Sequence, residues 1–496
     1  MGSRKDQIKV RKMKKQILKL ISLSCIISML GNVPLALAAN GEVLSFQEIS
    51  ETSGGLSSTL ESSDYFGDDV GNIGDLDNDG ITDLIIGAHQ DDDGQTNGNR
   101  GAAYILFMNT DGTVKSEQKI SDTEGNFTAT LDNADYFGSG VAGIGDLDGD
   151  GIEDIAIGAK GDDDGGSGYG AIYICFMNTD GTVDSYQKIS KTDGGFTGYT
   201  PYLNENFGES ITLLGDLDND EVDDLVVSAP NANGVNDKGS IYILFMNTDG
   251  TVKDNQKIAH GEGGLSEYLG NYDRFGYSIA GLGDLDGDGI EDVAAGIPRD
   301  DDGGNDHGAI IILFLNEDGT VNSEQKISDT EGNFTGTLDS GDNFGRGLAN
   351  IGDLNNDGVI DLAVGADYDD DGTTNNGAVW ILFMNDDGTV DSHQKISDTE
   401  GSFTASLDNG ARLGMSIEGI GDIDEDGKED IIVGASHSDD GGSDAGSIYI
   451  LNLDGPAPTT NPVFPGWSLL LTGIMLFYFM DRYKGTFQFK PLLQSK

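Results

Sequence analysis

Gly145-Asp146-Leu147-Asp148-Gly149-Asp150-Gly151-Ile152-Glu153-Asp154 decides the fold and the first chemistry of this chain. Asp146, Asp148 and Asp150 take positions 1, 3 and 5 of a tight loop. Gly151 permits the sharp turn, Ile152 offers a backbone carbonyl at position 7, and Asp154 closes the loop at position 9. Carboxylates brought this close repel one another by several kcal/mol at moderate dielectric, so a cation is needed to make the convergence favourable. All-oxygen ligation by flexible carboxylates suits Ca²⁺ better than Mg²⁺, which is smaller and keeps more of its water. The loop is not an EF-hand, because that motif needs a Glu at position 12. Position 12 here is Ile157, and Ile86, Val227, Ala295, Val364 and Val433 stand there in the other copies.

Those copies are the next observation. The first Asp recurs at Asp75, Asp146, Asp216, Asp284, Asp353 and Asp422, at intervals of 71, 70, 68, 69 and 69 residues. The further candidate ligand sets, each with its position-7 carbonyl, begin with Asp75, Asp77, Asp79, Ile81 and Asp83, then Asp216, Asp218, Asp220, Val222 and Asp224. Asp284, Asp286, Asp288, Ile290 and Asp292 form the fourth, and Asp353, Asn355, Asp357, Val359 and Asp361 the fifth. Asp422, Asp424, Asp426, Lys428 and Asp430 form the sixth. Glu221 replaces the turn glycine in the third loop, and Asn355 lowers the ligand charge of the fifth. Solvated Asp-Gly turns are the alternative, and six loops in register argue against it. Up to six Ca²⁺ ions are expected, in a structural role. Catalysis would need an open coordination position beside a base or nucleophile.

Each repeat has the same order of elements. Phe-Gly comes first, at Phe66, Phe137, Phe207, Phe275 and Phe344, with Leu413-Gly414 in the sixth copy. A short apolar strand A leads into the Asp loop, and strand B follows, as in Ile155 to Ala159. An acidic glycine-rich loop such as Asp162 to Gly166 precedes strand C, Ala171 to Phe176. An Asn-Thr-Asp-Gly turn, Asn178 to Gly181, gives a tight reversal. Strand D ends in Gln-Lys-Ile-Ser, as at Gln118 to Ser121. No repeat carries a helical period. Four short antiparallel strands repeated radially predict an all-β, closed β-propeller of six four-stranded blades. A straight stack of sheets is the other arrangement such a repeat allows. The ends favour the ring: the sixth copy stops after strand C, Ile448 to Leu453, while Val43 to Ser50 matches the strand-D segment Val114 to Ser121 position by position. The N-terminal strand is therefore expected to complete the last blade and remove an exposed edge.

Phe-Gly, the Asp loop and Gly-Ala in succession resemble FG-GAP repeats, the blades of integrin α-subunit propellers, over about residues 43–455. The resemblance implies calcium loops set in hairpins and a ligand face opposite them. Integrin propellers have seven blades with shorter repeats, and only some of their blades bind calcium; here six are counted, each with its loop, and seven blades is the alternative count.

Alternate loops of an up-and-down blade lie on opposite faces. The A–B calcium loops and C–D turns share one. The B–C and D–A loops, longer and more varied, share the other, as with residues 122–136 and 191–206. Variable loops on a rigid scaffold are where ligands bind. Tyr65, Tyr136, Tyr202, Tyr272 and Tyr368 lie there, either packing the rim or offering rings to a sugar or a protein. The acidic runs 91–93, 162–164, 300–302 and 369–371 read as solvated surface, with further Ca²⁺ or a basic partner as alternatives.

The two ends read as addresses. Residues 1–38 have a basic lead, an apolar stretch from Leu20 to Leu37 and the small residues Ala36-Leu37-Ala38, the pattern of a cleaved signal peptide; an uncleaved anchor is the alternative. The repeats occupy 39–455. Residues 456–462 form a proline-containing linker, and 463–480 an apolar run at the short end of a membrane span. Residues 481–496 form a basic tail; this order also resembles bacterial sorting tails, and a buried terminal segment is the other reading of the run. Without the leader 20 basic residues stand against 86 acidic ones, a net charge of −66. Such a chain repels nucleic acid and anionic lipid. Cys175 then has no partner for an intrachain disulfide. His89, His260, His307, His393 and His437 do not recur at matched repeat positions, and no Gly-x-Ser-x-Gly elbow occurs. The sequence therefore reads as an exported surface or secreted module of bacterial type that binds a protein or glycan, and as no enzyme. A self-assembling surface-layer protein and a hydrolase are the alternatives.

Overall fold

The computed structural model describes residues 41–92, 98–197, 204–232, 236–372 and 374–455. The leader, linker, apolar run, basic tail, Asp93 and Tyr202 lie outside them. The described chain forms 24 strands in six four-stranded antiparallel sheets, arranged as a six-bladed β-propeller, and has no α-helix.

The first blade holds β2–β5, Val70–Asn72, Leu84–Ala88, Ala102–Met108 and Val114–Ile120. The second holds β6–β9, Phe137–Gly145, Asp154–Ala159, Ala171–Met177 and Val183–Ile189. The third holds β10–β13, Ile211–Gly215, Asp224–Ala229, Ser240–Met246 and Val252–Ala259. The fourth holds β14–β17, Ile279–Gly283, Asp292–Ile297, Ala309–Leu315 and Val321–Ile327. The fifth holds β18–β21, Phe344–Asn350, Leu362–Ala366, Ala378–Met384 and Val390–Ile396. The sixth takes β22–β24, Ile417–Gly421, Asp430–Ala435 and Ser447–Leu453, and is completed by β1, Val43–Ile49. β1 runs antiparallel to β24 with Phe46 opposite Leu451 and Ile49 opposite Ile448. The N-terminal strand thus closes the ring as the repeat arithmetic predicted.

Sequence pattern explains each strand's place. The two middle strands of a blade face neighbouring blades on both sides, so β3 and β4 are apolar and buried throughout. The outermost strand has one wet side, so β5 is buried only at its ends, Val114 and Ile120, with Lys115 and Ser116 exposed and residues 117–119 half-buried. The hydrophobic core is accordingly six clusters, each shared by two adjacent blades. One joins Ile105 and Ile120 of the first blade to Phe137 and Ile157 of the second; another joins Ile49 and Ile448 of the last blade to Phe66 and Leu84 of the first.

The Phe-Gly motif is the stitch between blades. Each Phe pairs in parallel with the glycine that opens the third strand of the preceding blade, as Phe137 does with Gly101 and Phe66 with Gly446. All six such bridges are present, Leu413 taking the Phe role against Gly377. The ring encloses an axial channel of about 350 Å³ lined by the innermost strands of all six blades.

Candidate metal centres and the opposite face

Each Asp loop joins the first and second strands of its blade. In the second blade the backbone amides of Asp150 and Gly151 donate to the two oxygens of Asp146, at 2.9 and 2.8 Å. Asp150 N–H also donates to Asp148, and Ile152 N–H donates to Asp150. This network aims three side chains inward before any ligand is considered. The position-9 residue, Asp154, is buried at the start of β7. It accepts from Leu147 N–H within the loop and from Met177 N–H at the end of β8, both at 3.1 Å, and so pins the loop to the third strand. Asp83, Asp224, Asp292 and Asp361 make the matching bond to Met108, Met246, Leu315 and Met384. Burial pushes the carboxyls of Asp83, Asp154, Asp224, Asp292, Asp361 and Asp430 up to about 7, the amide bonds only partly offsetting it.

Five loops bring carboxylates of positions 1, 3 and 9 together. In Asp75/Asp77/Asp83, Asp146/Asp148/Asp154, Asp216/Asp218/Asp224, Asp284/Asp286/Asp292 and Asp422/Asp424/Asp430, one oxygen from each lies within 4.8 Å of the others. Oxygens sharing one Ca²⁺ at about 2.3–2.6 Å are separated by at most about 5 Å. The donor set therefore fits a hard divalent cation.

The fifth loop lacks the third carboxylate. Asn355 accepts Asp357 N–H and donates its amide to the Asp357 side chain at 2.9 Å. The predicted position-5 ligands Asp79, Asp150, Asp220, Asp288 and Asp426 stand outside all five clusters, and in two loops a lysine holds positions 3 and 5. Lys115 Nζ reaches both Asp77 and Asp79 at 2.5 Å, and Lys253 bridges Asp218 and Asp220 in the same manner. Sequence reading missed these lysines; their position at the start of the outer strand, next to the loop of the same blade, is the signal. The position-7 residues Ile81, Ile152, Val222, Ile290 and Val359 each donate their amide to the position-5 carboxylate. Lys428 instead sets its ammonium 3.7 Å from Asp426 and 3.4 Å from Asp454. Glu221 takes the turn-glycine conformation at φ +70°.

The acidic runs on the opposite face correct an expectation. They are not simply solvated: Asp91, Asp162, Asp300 and Asp369 are buried, and each meets the lysine of Gln-Lys-Ile-Ser in its own blade. Lys119, Lys188, Lys326 and Lys395 reach them at 2.6–2.7 Å. The desolvated carboxylate needs that partner, so the lysine marks where the run turns inward. Of the loop tyrosines, Tyr272 is exposed. Tyr65 stands 4.8 Å from the His437 ring and 5.6 Å from that of His89, and Tyr136 is 5.6 Å from the His89 ring.

Comparison with known proteins agrees with this geometry. The FG-GAP repeat family matches residues 66–106, 137–175, 207–244, 275–313, 344–382 and 416–451, one match in each blade. The chain is a six-bladed β-propeller of FG-GAP repeats, and it is similar to integrin alpha chains. Integrin alpha-PS5 of Drosophila melanogaster is 33% identical over 214 residues, covering 42% of this chain and 18% of its own length. Integrin alpha-5 of Xenopus laevis is 32% identical over 260 residues, 51% of this chain and 22% of its own. Integrin alpha-6 of Gallus gallus is 31% identical over 210 residues, 42% of this chain and 17% of its own. The matches thus span about a fifth of these relatives.

Proposed function

We propose that the protein is a calcium-stiffened binding module, displayed outside the cytoplasm, that holds a protein or glycan ligand on the face opposite its Asp loops. The observation that carries this reading is the division of labour between faces. One face repeats the same carboxylate cluster in five of six blades, while on the other the rim residues Tyr65, Tyr136, Asn206, Arg274, Asn343 and Arg412 differ from blade to blade above the repeated Asp–Lys pairs. Repetition serves a scaffold and variation serves recognition. Up to six Ca²⁺ ions, held by positions 1, 3, 5 and 9 and the position-7 carbonyl of each loop, would offset local negative charge and tie the inner strands together. Their binding free energy then adds to folding stability. Export by residues 1–38 and retention by 463–480 complete the proposal; both lie outside the described residues, among which no helix is long and apolar enough to cross a membrane.

The test is capture. The purified protein, offered an array of extracellular glycans and matrix proteins, is expected to retain a partner in millimolar Ca²⁺ and to release it in chelator. Retention of no partner in Ca²⁺, together with ordered self-assembly, would replace this reading with a structural surface layer.

A further inference from the structure

The net charge of the chain is −59, yet arginine gathers at one place. Of the five arginines among the described residues, Arg274, Arg299, Arg346 and Arg412 line a single cavity of about 210 Å³, together with Tyr277 and Tyr368. The cavity lies beside the axis on the B–C and D–A face, over blades four to six. The Arg346 guanidinium stacks 3.7 Å from the centre of the Tyr277 ring, and that of Arg412 lies 4.4 Å from the centre of Tyr368. Stacking holds a guanidinium plane while leaving its N–H edge available.

Two acidic neighbours are committed elsewhere. Asp300, next to Arg299, pairs with Lys326, and Asp273, next to Arg274, accepts Gly270 N–H. A third, the buried Asp367, stays with the cluster: it takes an amide bond from Asn343 through Oδ1, and its Oδ2 lies 3.7 Å from Arg346 Nε with no hydrogen-bond partner, one carboxylate against four guanidinium groups. Among the described residues no carboxylate pairs with Arg274, Arg299 or Arg412. The buried Nε atoms of Arg274 and Arg346 have no hydrogen-bond partner.

Backbone strain marks the same residues. The residue before each Phe-Gly or Leu-Gly lies in the left-handed region, and Asn206 and Asn343, which tolerate it, hold φ +59°. Arg274 and Arg412 hold φ +59° and +60° at the equivalent positions. A strained conformation kept for a long cationic side chain, where asparagine would serve the fold, points to use of that side chain.

We infer that this arginine cavity is a recognition site for an isolated carboxylate group carried by the ligand, an inference that rests on the binding role proposed for this face. A planar carboxylate takes paired N–H donors from a guanidinium fork. The cavity admits one small group rather than a polymer. The surrounding negative charge disfavours polyanions and leaves a single acid on an otherwise neutral ligand as the matching partner. One face of each tyrosine ring is covered by its arginine, so sugar stacking is not what orders the site.

The test is calorimetric titration of the full-length protein in millimolar Ca²⁺ with two probes, an end-blocked Gly-Asp-Gly peptide and methyl galacturonate. Each is compared with its neutral amide. Saturable binding of either acid, and of neither amide, is expected, and the probe that binds tells whether the acid comes from a peptide or a sugar. The double variant Arg274→Asn/Arg412→Asn carries the residue that two repeats already have, so it is expected to melt no lower than wild type. Its affinity should fall roughly 10- to 100-fold, since charge-assisted hydrogen bonds are lost. Arg299→Ala, at an exposed rim position, should weaken binding without any effect on folding. No saturable binding of either acid to tens of millimolar, or binding untouched by both variants, overturns the inference. Array capture without carboxylate binding removes only this site; carboxylate binding without any captured partner removes the wider role.

Discussion

Gly446 holds φ at +96°, and a methyl group there would lie 2.1 Å from the carbonyl oxygen of Phe66. The parallel bridge between these residues joins the last blade to the first, so Gly446→Ala combines left-handed strain with a backbone clash. We expect a loss of about 2–5 kcal/mol, read as a fall in urea midpoint at constant slope. The Asp loops were legible because their ligands are local, all within nine residues of chain. Lys115 and Lys253 were not, because they enter from the outer strand some thirty residues on. An ammonium between two carboxylates competes with a cation for them. Lys115→Asn, which copies Asn322 of the fourth blade, should therefore raise the calcium affinity of the first loop about tenfold or more in titrations with a fluorescent competitor.

The element on which the ring depends is β1. Its place in the last blade was readable because Val43 to Ser50 repeats a strand that the sixth copy lacks. Ile49 is fully buried in the cluster between the last and first blades. Ile49→Ala should cost about 2–5 kcal/mol in equilibrium unfolding. At the lysine position β1 departs from the repeat. Where blades one, two, four and five place Lys119, Lys188, Lys326 and Lys395, β1 carries Glu48. Burial first, and Asp440 second, push its carboxyl up to about 7. A carboxyl raised in the fold stabilises while protonated, and that stability is lost as pH rises from its unfolded value of about 4.5 through about 7. Glu48→Lys should therefore stabilise the protein by about 1–2 kcal/mol at pH 8, with less gain at pH 5.

At the scale of the whole molecule the sequence told blade type, and its six repeats with one displaced strand favoured six blades over seven, the count the six sheets bear out. It did not tell where the B–C and D–A face becomes basic. Arg274, Arg299 and Arg412 come from three loops and Arg346 from β18, over three blades, and no local pattern links them. Their signal was internal variation: positions that differ among otherwise repeated blades. Charge also governs the molecule as a unit. The six buried loop carboxyls, raised to about 7, make the EDTA-treated protein lose stability as pH rises from about 4 to about 7, because the unfolded chain releases those protons earlier. Melting in EDTA should accordingly be higher at pH 5 than at pH 8. In millimolar Ca²⁺ the order should reverse, since only the ionised carboxylates bind.

The central claim is that carboxylates repeated around one face hold calcium and thereby lock the ring. Calorimetric melting of the purified protein at pH 7.5, with bound calcium counted on the same sample, tests it most directly. The account predicts several calcium ions per chain, up to six, and a transition raised by about 10 °C or more over that in EDTA. A calcium-free preparation that melts at the same temperature in both buffers would contradict it.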